Sequence, residues 1–138
     1  DVLRQKIAAQ KPGNVRAVQM DLEHGPLPPD RYHMVIGSMV LHHIAETEKV
    51  LGGFFQLLRP GGILCLADLD AEPGLFHDAQ AAGSVHHHGF DRAALASQLA
   101  RLGFLAIKHV TAHTIRKPVA GGGERDFPVF LMTARRPG

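Results

Sequence analysis

Tryptophan is absent from this 138-residue chain, and cysteine occurs once, as Cys65. A single thiol excludes a disulfide framework. Its place in the apolar run Ile63-Leu64-Cys65-Leu66-Ala67 reads as a buried, inert side chain. No apolar run approaches the roughly 18 residues that a membrane-spanning helix needs. Blocks of one charge sign are missing too. The 15 basic and 13 acidic residues are interspersed and sum to +2, which argues against a nucleic-acid footprint. Internal repeats and low-complexity tracts do not occur. What is present is the ordinary mix of one globular domain, expected over 1–138, with 45% hydrophobic and 20% charged residues. No signal-peptide pattern follows Asp1, so a cytoplasmic location is the default expectation. Ten histidines are the compositional excess.

Local patterns alternate between helix and strand. Leu3, Ile7 and Ala8 share a helical face within 1–10, and Lys11-Pro12-Gly13 stops that helix. Val15–Met20 predicts a strand, and His33–Gly37 a second. A helix is expected over 47–58, its stripe formed by Val50, Leu51, Phe54, Phe55, Leu57 and Leu58. Arg59-Pro60-Gly61-Gly62 predicts a tight turn after it. The apolar run in 63–69 lacks alternation and predicts a strand buried on both faces. A long irregular segment, 70–89, comes next. Asp91 suits the N-cap of a helix over 92–102, with Phe90 and Leu95 spaced for a hydrophobic staple and Gly103 closing the helix. Phe104–Ile115 and Phe127–Ala134 predict two strands joined through Gly121-Gly122-Gly123. That link is too short for a crossover helix, so the pair is expected to be antiparallel. The order predicts an α/β layered domain with a parallel sheet and an antiparallel end. Ligands in such sheets bind outside the carboxyl ends of the strands, here Asp21-Leu22, Ser38-Met39 and Asp68-Leu69-Asp70.

Three pieces in order carry a resemblance. They are Val18-Gln19-Met20-Asp21-Leu22, the run Met34-Val35-Ile36-Gly37-Ser38-Met39-Val40-Leu41-His42-His43-Ile44, and Leu57-Leu58-Arg59-Pro60-Gly61-Gly62-Ile63-Leu64. Together they resemble the second half of a class I S-adenosylmethionine-dependent methyltransferase. His86-His87-His88-Gly89-Phe90-Asp91 is similar to a feature of one bacterial subgroup of that family with unassigned substrates. The resemblance implies a Rossmann-like, three-layer sheet whose last two strands form the antiparallel pair. The family's glycine-rich loop after its first strand and the acidic residue ending its second strand have no counterpart here. Asp1–Gln10 matches the helix that comes after the second strand. The two missing strands are expected from residues outside this sequence or from a partner chain. In the family's sheet they lie between Val15–Met20 and the remaining strands.

The resemblance also assigns roles. S-adenosylmethionine is the expected cofactor and a small molecule the expected methyl acceptor. Asp21 is expected to accept a hydrogen bond from the adenine amine, as a carboxylate can, with the Leu22 amide on the ring. Ser38 and Met39 pass under the methionine part of the cofactor. His43 and His88 are the candidate bases, because imidazole titrates near neutral pH. His42, His87, Asp68 and Asp70 are candidate substrate-binding residues, and the 70–89 segment a candidate lid. His77 with His86-His87-His88 invites a metal reading, but no Cys partner or His-Glu-x-x-His pattern supports it, and no metal is expected. His109 and His113 are read as structural. No nucleic-acid or membrane partner is expected, and a homodimer is left open. Two rival readings stand beside this one: a non-catalytic binding or assembly module completed by a partner chain, and a histidine-rich metal-binding protein.

Overall fold

A computed structural model describes residues 2–78 and 82–138. The elements are α1 (Val2–Gln10), β1 (Tyr32–Ser38), α2 (Thr47–Leu57), β2 (Leu58–Leu69), α3 (Arg92–Arg101), β3 (Leu105–Pro118) and β4 (Glu124–Arg135). Short 3-10 turns occupy Leu41–His43 and Ala82–Ser84. The sheet order is β1-β2-β4-β3, with β1 parallel to β2 and the other neighbours antiparallel. The expected parallel sheet with an antiparallel end is therefore present.

One face of the sheet carries the main core. Leu64 and Leu66 of β2 and Phe130, Met132 and Ala134 of β4 join Val50, Leu51, Phe54 and Leu57 of α2 and Leu95 and Leu99 of α3 in one cluster. Burial along β2 alternates, with Leu64 and Leu66 buried and Ile63 and Cys65 only partly covered. This corrects the expectation of burial on both faces. Both packed helices contribute to the Leu64/Leu66 cluster, whereas α1 buries no residue. Of the three layers expected, the described residues pack two against each other.

The local signals act mostly as read. Asp91 caps α3 by accepting a hydrogen bond from the Ala94 amide at 2.8 Å. At the other helix, Arg136 caps the end of α2. Its Nη1 donates to the carbonyls of Phe55 at 3.0 Å and Leu58 at 2.6 Å, and its guanidinium lies over the Phe55 ring.

Two further expectations fail. Arg59-Pro60-Gly61-Gly62 is not a turn but part of β2. The register jumps from Tyr32↔Leu58 to Met34↔Ile63, so the ladder absorbs the extra residues as a bulge. Gly61 takes φ +75° there, and its amide donates to the C-terminal carbonyls of Arg136 and Pro137. Val15–Met20 forms no strand. A strand needs a ladder partner, and none of the described residues pairs with it. Val15, Val18 and, on the face of β1 turned away from the main core, Met34 and Ile36 stay exposed, Ile36 at 70%.

Candidate functional site

The carboxyl ends of β1 and β2 lie side by side, with Ser38 opposite Ala67. The chain leaves β1 sharply. Met39 adopts φ +55° while its amide donates to the Ala67 carbonyl at 2.8 Å. A side chain on Gly37 would bring its Cβ within 3.2 Å of Leu66, so the small residue permits this close packing.

Asp68, 1% exposed, organises the turn after β1. Its Oδ2 accepts from the amides of Leu41 at 2.9 Å and His42 at 3.3 Å. Its Oδ1 accepts from the Leu69 amide at 2.8 Å and lies 2.6 Å from His42 Nδ1. His42 is equally buried. An acceptor-only carboxylate is what such a set of donors requires. The His42 carbonyl in turn accepts from the amides of His86 and His87 at 2.9 and 3.0 Å, which ties the far end of the 70–89 segment to the turn after β1. His43 is exposed, and its Nδ1 lies 2.7 Å from the Ser84 carbonyl, the ring donating.

Apart from the short turn at Ala82–Ser84, the described residues of the 70–89 segment are irregular, as expected, and the segment is closed at its base. Asp70 and Phe90 form a backbone bridge, and the Glu72 amide donates to the His88 carbonyl at 2.8 Å. Gly89 sits at φ +75°, and a Cβ there would come 2.1 Å from the Asp70 carbonyl oxygen. His77 enters the site from this segment, its ring centroid 5.0 Å from that of His42 and 5.5 Å from that of His43. Burial holds the His77 pKa below its ordinary value, and neighbouring His42 and His43 add to the effect. His88 is exposed, with Nδ1 3.8 Å from Oε1 of the largely buried Glu72. His87 stacks against Phe90 at 5.2 Å, with Nε2 buried and without a hydrogen-bond partner.

The remaining candidates have other side-chain partners or surroundings. Asp70 holds Arg92 in a two-pronged ion pair, at 2.6 and 2.7 Å. The bonded carboxylate keeps the guanidinium pKa above its already high range. Asp21 is exposed, and its Oδ1 accepts from the amides of Glu23 and His24, each at 2.9 Å. Those bonds, His24 first, hold its carboxyl below the ordinary carboxylate range and leave Oδ2 to accept from elsewhere. Leu22 packs on the main core and Met39 on a smaller cluster around Leu69, Phe127 and Val129. Ser38 is exposed. The structure thus gathers His42, His43, His77 and Asp68, with the His86 and His87 amides bonded to the His42 carbonyl and His88 lying beside Glu72. Arg92 and Glu72 were not anticipated. A cation opening a helix, against the helix dipole, is the one local hint that Arg92 has an acidic partner.

A family model described as a methyltransferase domain matches residues 1–109. The chain belongs to that family. Among curated relatives, the ubiquinone/menaquinone biosynthesis C-methyltransferase UbiE of Vibrio campbellii is 34% identical over 56 residues, 41% of this chain and 22% of that protein. The chain thus aligns with about a fifth of the length of such relatives. Among solved structures, phosphoethanolamine N-methyltransferase 2 of Haemonchus contortus, in complex with phosphomonomethylethanolamine and S-adenosylhomocysteine, superimposes with a TM-score of 0.72 at 11% identity. The match covers 97% of this chain and 40% of that one. The 1,6-didemethyltoxoflavin-N1-methyltransferase of Burkholderia thailandensis gives 0.65 at 21% identity, covering 98% and 56%. These likenesses establish the Rossmann-like methyltransferase fold. No helix among the described residues of this methyltransferase-family chain is long and apolar enough to cross a membrane.

Proposed function

We propose that this chain takes part in S-adenosylmethionine-dependent methyl transfer to a small-molecule acceptor. The observation that carries the reading is the convergence of His42, His43 and Asp68 at the carboxyl ends of two parallel strands, where such sheets bind ligands. Family membership over residues 1–109 supports it, and so do relatives whose names record methyl transfer to small molecules.

The chain's residues suit the cofactor. Asp21 is an ionised acceptor with Oδ2 free for an adenine amine, and Leu22 places its amide next to it. The left-handed turn at Met39 and the small, exposed Ser38 leave the backbone open to a close approach at the end of β1. When bound, the cofactor supplies an activated methyl group whose bonding electrons return to sulfur as the acceptor attacks. The protein's part is then alignment of the acceptor and removal of its proton. His43 and His88 are the groups placed for that. The Ser84 carbonyl accepts a hydrogen bond from His43 Nδ1–H, which leaves Nε2 as a proton acceptor, while the Glu72 carboxylate stands beside His88 Nδ1. His42 and His87 are joined through the backbone, the His87 amide donating to the His42 carbonyl at 3.0 Å. Asp68 acts as a positioning residue, orienting His42 and the turn after β1. Asp70 anchors the base of the segment that covers the acceptor.

Calorimetric titration of the protein, purified at its natural length, with S-adenosylhomocysteine tests the reading. One site per chain, weakened at least tenfold by Asp21→Ala, is expected. Absence of saturable heat overturns the reading, and unchanged affinity in the variant removes Asp21 from the site. A second reading, an assembly module completed by a partner chain, draws on β1 as an end strand of the sheet and on the exposed apolar Met34 and Ile36 on its outer face. Sedimentation as a stable monomer counts against it.

A further inference from the structure

His42, His43 and His77 each offer one imidazole nitrogen, and these atoms all lie within 4.8 Å of one another. The three rings come from two segments, the turn after β1 and the 70–89 segment, and meet at centroid distances of 4.2, 5.0 and 5.5 Å. Three imidazoles facing one point repel one another when protonated, so packing alone is a poor reason for the arrangement.

The surroundings of the rings are more telling. His42 is held through Nδ1 by the buried Asp68 carboxylate at 2.6 Å, and His43 through Nδ1 by the Ser84 carbonyl at 2.7 Å. Each contact fixes a tautomer with the proton on Nδ1 and leaves the Nε2 lone pair uncommitted. Histidines that ligate metals are oriented in this way, one nitrogen on the metal and the other donating to a carboxylate or a backbone carbonyl.

We propose that His42, His43 and His77 form a three-imidazole site for a divalent transition-metal ion, with Zn²⁺ as the simplest probe. Neutral nitrogen donors without carboxylate or carbonyl ligands suit Zn²⁺, Cu²⁺ or Ni²⁺ and not Mg²⁺ or Ca²⁺. Zinc–nitrogen bonds of about 2.0–2.1 Å place tetrahedral ligands about 3.4 Å apart, so the rings would draw in by about 1.4 Å at most. His43 is exposed and His77 belongs to an irregular segment, so both can make that adjustment, while His42 stays fixed. Three protein ligands leave a fourth position for water or for an acceptor heteroatom, as in catalytic metal sites. This departs from the expectation that no metal binds. It also departs from the sequence pattern that first suggested one, because His86, His87 and His88 are not members of the cluster. A metal on His43 Nε2 excludes proton acceptance there and leaves that task to His88.

The test uses chelator-stripped protein of natural length, titrated with Zn²⁺ against a chromophoric chelator, and with Co²⁺ for its visible spectrum. One ion per chain is expected, with intense tetrahedral Co²⁺ bands. His43→Gln and His77→Gln should each weaken binding at least tenfold, while the double variant His86→Gln/His88→Gln keeps it. Circular dichroism checks that each variant is folded, and buried His42 is left unchanged for that reason. No saturable binding, or binding unaffected by His43→Gln and His77→Gln, overturns the proposal. Loss in the His86/His88 variant alone moves the site and also overturns it. The metal site does not depend on the methyl-transfer reading, and S-adenosylhomocysteine titration of the same samples keeps the two apart.

Discussion

Replacing Asp68 by asparagine removes one acceptor oxygen from the middle of a buried cluster of donors. The amide has to present its NH₂ on one side. Facing the Leu41 and His42 amides, now bonded at 2.9 and 3.3 Å, it opposes two donors. Facing His42 Nδ1 and the Leu69 amide, it opposes one, because the imidazole can change tautomer and accept while the Leu69 amide cannot. The second arrangement costs less. One buried donor left without a partner costs about 1–3 kcal/mol, and loss of charge assistance in the remaining bonds adds about 1 kcal/mol. The expected destabilisation is therefore about 2–4 kcal/mol. With a urea m-value of roughly 2 kcal/mol/M, the unfolding midpoint should fall by about 1–2 M at unchanged m. Asp68→Ala, which leaves all the donors unmet, should fall further. An Asp68→Asn midpoint within about 0.3 M of the parent would refute the clamp on which the site geometry depends.

Other consequences are equally concrete. Gly89→Ala places a Cβ 2.1 Å from the Asp70 carbonyl at a left-handed φ. It should cost more than about 3 kcal/mol, and an unchanged urea midpoint would refute the backbone bridge between Asp70 and Phe90. Asp91→Ala removes the cap from the Ala94 amide and should cost about 1 kcal/mol in thermal unfolding. The Asp21 carboxyl, held below its ordinary 3.8 by the His24 and Glu23 amides, favours the folded state above that value and ceases to as pH falls through the lowered pKa. Its carboxyl carbon, tracked by NMR, should titrate below the ordinary value, and a midpoint at or above 3.8 contradicts the turn geometry.

Elements set by local chemistry were legible in the sequence. The apolar stripe of α2, the Asp91 cap of α3 and the short link between β3 and β4 each specify their structure within a dozen residues. The failures share a cause in pairing between distant residues. Val15–Met20 has strand composition, yet β-propensity describes fit to a neighbouring strand, and no described strand accepts it. Pro60-Gly61-Gly62 reads as a turn, but the ladder with β1 and the carbonyls of Arg136 and Pro137 hold it as a bulge. The candidate site was half legible. His42, His43 and Asp68 lie at predicted strand ends, but the bond from His42 to Asp68 spans 26 residues and no spacing rule links them. Nothing local told that Asp68 would be buried as an organiser while Asp70, two residues on, would pair with Arg92. His77 joins the cluster only because the irregular segment folds back over the strand ends.

In the proposed function the cofactor lies at the carboxyl ends of β1 and β2, beside the histidine cluster. The most direct measurement is an NMR titration of the natural-length protein with S-adenosylhomocysteine, monitoring backbone amides and histidine ring nitrogens. Saturable shifts are expected at Asp21, Leu22, Ser38, Met39 and His43, with His109 and His113 on β3 unmoved. Shifts centred on the β3–β4 hairpin, or no saturable shifts, would contradict it.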